Sequence, residues 1–79
     1  MKYQVKVKIP ELLQKHNMSL RKLSELADIR HATLSELSNG KRKNINFGHI
    51  ERIAKALDIT DIREIIDLEI TEEKEKSEG

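Results

Sequence analysis

The chain has no cysteine and no tryptophan, one proline, three glycines and two aromatic residues, Tyr3 and Phe47. Without cysteine there is neither a disulfide framework nor a thiolate metal site, which fits a reducing cytoplasm, the expected location. No apolar run exceeds a few residues, far below the ~20 that a membrane-spanning helix requires, and no signal-peptide pattern opens the sequence. Absent too is a catalytic pattern. Ser19, Ser24, Ser35 and Ser38 read as helix caps and helix-surface residues, with no nucleophile elbow among them. His16, His31 and His49 have no close spacing to one another, so no metal is expected, and neither a cofactor nor enzymatic activity.

What is present is aliphatic and charged. Nine Leu and ten Ile must build the core, and 37% of residues are charged. At 79 residues this bounds a single small domain, and the scarcity of glycine and proline makes a compact helical one the expectation. The net charge of +1 conceals an asymmetry: residues 1–60 hold 12 Lys/Arg against 6 Asp/Glu, and residues 61–79 hold 3 against 8. A basic body with an acidic end is a pattern of nucleic-acid binders carrying a solubilising tail.

Residues 3–9, YQVKVKI, alternate with Tyr3, Val5, Val7 and Ile9 on one side, the period of a strand with its lysines outward. Pro10 suits the first turn of a helix carrying Leu12, Leu13 and His16, and Asn17 stops it. Ser19 caps a second helix with Leu20, Leu23, Leu26 and Ala27, ended by Asp28. A third runs from about His31 to Ser38, turning Leu34 and Leu37 inward and His31, Ala32, Ser35 and Glu36 outward. Arg30 has no oxygen with which to cap it, leaving Asp28 as the alternative cap.

Asn46 caps a fourth helix with the apolar stripe Phe47, Ile50, Ile53, Ala54 and Leu57. Thr60 caps a fifth with Ile62, Ile65 and Ile66. Residues 66–70, IDLEI, fit both a strand and a continued helix. The strand is preferred because the amino-terminal strand needs a partner, with Lys6 and Lys8 facing Asp67 and Glu69. The division is thus an extended segment 1–8, a helical domain 9–66, and a short strand with an acidic, disordered tail over 67–79.

The turn at the end of the third helix, in TLSELSNGKRKN (33–44), is the most informative phrase. Asn39-Gly40 stops a helix and Lys41, Arg42 and Lys43 follow at once. Three cations there are either a solvated turn or a surface set against an anion.

Over residues 18–44, MSLRKLSELADIRHATLSELSNGKRKN, and 50–60, IERIAKALDIT, the sequence resembles the phage-repressor, or XRE/Cro-type, helix-turn-helix domains. The resemblance spans roughly residues 9–66 and implies an all-α, five-helix lambda-repressor-like domain binding operator DNA, often as a homodimer on a two-fold site. It implies base reading by Arg30, His31, Ala32, Glu36 and Arg42. Phosphate binding falls to Ser19, Arg21, Asn39, Lys41 and Lys43. The function so implied is a sequence-specific transcriptional regulator, a bacterial or phage repressor. The alternative is an antitoxin- or antirepressor-like protein-interaction module on the same fold, motivated by the acidic end and exposed strand edges. The sequence departs from the family in placing Asp28 and Asp58 where glycine is usual, and in the outward carboxylate of Glu36.

Overall fold

The computed structural model describes residues 1–41 and 43–72. In chain order the elements are β1 (Lys2–Val7), α1 (Ile9–Lys15), α2 (Leu20–Ala27), α3 (His31–Ser38), α4 (Phe47–Leu57), a 3-10 turn (Ile62–Glu64) and β2 (Ile66–Thr71). The acidic tail from residue 73 onward and Arg42 lie outside the described residues.

Two of the four helices, α2 and α4, start at a side chain that caps them. Ser19 Oγ accepts from the Lys22 amide (3.1 Å) at the start of α2, and Asn46 Oδ1 accepts from the Gly48 amide (2.7 Å) at the start of α4. All four stop by one device. Asn17, Asp28, Gly40 and Asp58 take left-handed φ of 52°, 56°, 72° and 55°. The amide of the next residue then folds back to a carbonyl five residues earlier: Met18 to Leu13, Ile29 to Ser24, Lys41 to Glu36, Ile59 to Ala54. This is the Schellman closure, which satisfies otherwise orphaned carbonyls; asparagine and aspartate tolerate the left-handed region better than other residues with a side chain. Asp28 therefore ends α2. It does not cap α3, whose N-cap, Arg30, makes no side-chain capping bond.

The core is aliphatic: Ile9, Leu12, Leu23, Ala27, Ile29, Leu34, Leu37, Ile50, Ile53, Leu57 and Ile65 are buried. α2 packs against both α3 and α4 and so sits at the centre of the domain. Three apolar residues assigned inward by periodicity face solvent instead: Leu26, Ile62 and, at 78% exposure, Phe47. Phe47 is the first residue of α4, and its side chain stays in solvent, outside the seam that Ile50, Ile53 and Leu57 fill.

The five-helix expectation is wrong. Among the described residues there are four α-helices, and the segment expected as the fifth contains a single 3-10 turn. Asp61, not Thr60, caps that turn, and its bonds reach only three residues back, Glu64 to Asp61 (3.0 Å) and Ile65 to Ile62 (2.9 Å). The reason lies outside the segment. Ile65 is fully buried and its carbonyl accepts from the Lys8 amide (2.7 Å), so the chain becomes extended at Ile66 and pairs with β1. A helix continued through Ile66 would forfeit that pairing.

β1 and β2 form a two-stranded antiparallel ribbon. Lys6 stands opposite Asp67 as expected, but Glu69 faces Gln4, and Lys8 lies beyond β1. The Lys8 ammonium instead donates to the Arg63 carbonyl (3.1 Å). Lys6 reaches Glu11 (3.3 Å) and more distantly Glu69 (4.0 Å), exposed pairs that contribute little.

Candidate nucleic-acid interface

α2 and α3 are separated by Asp28, Ile29 and Arg30 alone. Ile29 is buried and anchors the turn from beneath. Arg52 braces it from α4, its Nη1 donating to the Asp28 carbonyl (3.0 Å). Sequence reasoning missed Arg52, because its place on the polar side of α4 carries no local sign of a partner 24 residues away. The buried Ser24 is satisfied within α2, its hydroxyl donating to the Arg21 carbonyl (2.7 Å).

α3 is held by two residues, Leu34 and Leu37, both buried. Around that narrow seam Arg30, His31, Ala32 and Glu36 are exposed, while Thr33, Ser35 and Ser38 are half-buried. Four of the residues expected to read bases thus share the accessible side of one short helix and its cap; the fifth, Arg42, lies outside the described residues. The outer face combines one cation, one imidazole, one methyl and one carboxylate, chemically distinct groups within two helical turns.

The Schellman closures set the end of α3 apart. After the other three helices the residue following the left-handed position is apolar and packs on the core: Met18, Ile29 and Ile59. After α3 it is Lys41, exposed to solvent. The hydrophobic contact that usually accompanies this closure is replaced by a charge. Asn39 and Lys43 are exposed beside it, so the chain leaves α3 along the surface before Ile45 returns toward the core.

The other expected phosphate contacts gather at the start of α2. Ser19 and Arg21 are exposed. Ser19 uses its oxygen on the Lys22 amide, while the amides of Leu20 and Arg21, as first residues of the helix, have no carbonyl partner within it. A helix start of this kind favours an anion.

A family model described as the Cro/C1-type helix-turn-helix DNA-binding domain matches residues 8–70. Among curated proteins, an uncharacterized HTH-type transcriptional regulator of Bacillus subtilis (strain 168), YozG, is 44% identical over 52 residues, covering 66% of this chain and 62% of that protein. The match therefore spans less than two thirds of that relative's length. No solved structure matches significantly.

Proposed function

The chain belongs to the family of Cro/C1-type helix-turn-helix DNA-binding domains, a regulator fold and not an enzyme fold, and we propose that it is a sequence-specific transcriptional regulator, acting as a repressor by occupying an operator. α3 enters the major groove, with Arg30, His31, Ala32, Glu36 and Arg42 toward base edges. Arginine pairs best with guanine, and a groove carboxylate accepts from the cytosine amino group. Ser19, Arg21, Asn39, Lys41 and Lys43 hold the backbone and fix the register without reading sequence. A weak homodimer places two such helices on a two-fold site.

The observation that carries this reading is the replacement of an apolar core contact by Lys41 at the end of α3, on the helix whose outer side is polar and exposed. A cation placed where the fold would accept an apolar residue contributes little to packing, and a phosphate beside it gives the charge a partner.

The test is the salt dependence of duplex binding. With about four to six phosphates neutralised per subunit, log affinity should fall against log salt with a slope of roughly −4 to −5. Lys41→Ala with Lys43→Ala should weaken every duplex about equally and flatten the slope by roughly 2. His31→Ala or Glu36→Gln should instead change the preferred sequence in selection from a random duplex pool. Unchanged affinity and slope in the double lysine variant would refute the phosphate assignment. A chain that ignores duplex at low salt and co-purifies with a stoichiometric protein would favour the protein-interaction alternative.

A further inference from the structure

The ribbon leaves one edge of β1 open. Lys8, one step beyond the paired register, donates its amide to the Ile65 carbonyl (2.7 Å), so it occupies a hydrogen-bonded position of the ladder. Such positions alternate along an antiparallel pair. Lys6, Gln4 and Lys2 therefore turn their amides toward β2, while those of Tyr3, Val5 and Val7 point away from it. Among the described residues no third strand meets them. That edge borders a groove of about 560 Å³, lined by residues 3–7 together with Asn39, Gly40, Lys43 and Asn44 from the turn after α3. Side chains alternate between the two faces of a strand, so a lining of five successive residues means that the groove runs along the edge and not over either face.

Resting on the DNA-binding reading above, we propose that this groove seats the sugar–phosphate backbone of the duplex, with the open edge of β1 as a second anchorage opposite the turn after α3. Contact with DNA would then extend to an element outside the helix-turn-helix.

Position and chemistry select this occupant. Asn39 and Lys43 are among the phosphate contacts assigned above, so a backbone held by them passes β1 as well. The outward amides, the carboxamides of Gln4, Asn39 and Asn44, and the Lys43 ammonium are donors suited to phosphate oxygens. Leu37 and Ile45, also in the lining, offer an apolar surface to deoxyribose. Two cations, Lys6 and Lys43, stand against one acid, Glu69, which lies 4.0 Å from Lys6. A peptide strand could use the same amides, but would need acidic side chains of its own to partner Lys43.

Fluorescence anisotropy of a labelled mixed-sequence duplex, titrated with the full chain at about 50 mM salt, tests this. Glu69→Gln removes the carboxylate from the groove and should tighten binding about threefold, the effect in water of one like charge about 7 Å from a phosphate. Glu64→Gln makes the same change of charge beside Lys15, outside the groove, and should tighten binding less. Val5→Pro deletes one outward amide that the ladder does not use, and should weaken binding at least about fivefold. Val5→Ala keeps that amide and should stay within about twofold of the parent. Thermal melting checks the proline variant; should it melt early, the two glutamate variants decide alone. Glu69→Gln binding no tighter than Glu64→Gln, or a stable Val5→Pro chain binding like the parent, would overturn the proposal and leave the open edge to a strand of another protein. A parent that ignores the duplex refutes the DNA reading and this seat together. A parent that binds, and weakens with Lys41→Ala and Lys43→Ala but not with Val5→Pro, refutes the seat alone.

Discussion

Gly40 offers an unusually clean perturbation. Its φ of +72° lies in the left-handed region, yet a Cβ built there meets no atom within 4 Å. Replacing it with alanine therefore tests backbone conformation alone, free of steric clash. A non-glycine L-residue in that region costs roughly 1–2 kcal/mol. Against this, alanine restricts the unfolded chain, which returns about 0.4–1 kcal/mol. The difference is a destabilisation of about 1 kcal/mol, in a domain of this length whose total stability is of order 4–12 kcal/mol. Thermal unfolding followed by circular dichroism should show the midpoint fall by about 4–8 °C.

The other helix ends supply an internal control for Gly40. Asparagine already occupies the equivalent position at Asn17, with φ of 52°. Gly40→Asn should therefore lose less than Gly40→Ala, under about 0.5 kcal/mol. An alanine variant that melts at or above the parent would refute the conformational argument. An asparagine variant that melts below the alanine one would refute it equally.

Two further outcomes follow from burial and charge. Ile53→Ala, fully buried on α4, should cost about 2–5 kcal/mol in urea denaturation; Phe47→Ser, at 78% exposure, should stay within about 0.5 kcal/mol. In acid, Asp61 matters most: its carboxylate is held at about 2, below its ordinary 3.8, first by the Arg63 side chain (Nη2–Oδ2 2.8 Å) and then by the Arg63 amide. Because the folded value is the lower one, this contribution is complete above about 3.8 and is lost as the pH falls toward about 2. The melting temperature of the parent should accordingly drop more steeply across that window than that of Asp61→Asn.

Much of the helical architecture was legible from local chemistry. Ser19 and Asn46 announced α2 and α4 because a side-chain oxygen before an apolar period satisfies the first amides of a helix. Asn17, Asp28 and Asp58 announced helix ends because they accept positive φ, although at Asn39-Gly40 only the glycine uses it, Asn39 remaining at −86°. The polar outer side of α3 was also readable, since an eight-residue helix with two inward leucines leaves little else to bury.

Other features were illegible for a common reason: they depend on residues far away in the chain. Ile62, Ile66 and Ile70 fit a helix and Ile66, Leu68 and Ile70 fit a strand, so spacing alone could only weigh one against the other. The contest is decided by β1, some sixty residues earlier, whose pairing and whose neighbouring Lys8 amide claim the backbone that a fifth helix would need. Periodicity placed Phe47 on the apolar side of α4, but at the first position of the helix no other element covers its side chain, which stays in solvent. Arg52 braces the α2–α3 turn through a carbonyl that no local pattern could pair with it.

By itself, then, the sequence determined where α1 to α4 begin and end, most of the aliphatic residues that form the seam, and that a cationic turn follows α3. These are short-range matters of amide satisfaction, side-chain period and allowed φ. Tertiary structure alone decided whether residues 62–71 coil or extend, and that only the Val7–Ile66 end of the ribbon packs on the core while both faces beyond it remain in water. Those outcomes depend on hydrogen-bond partners and packing surfaces brought together only when the two ends of the chain meet.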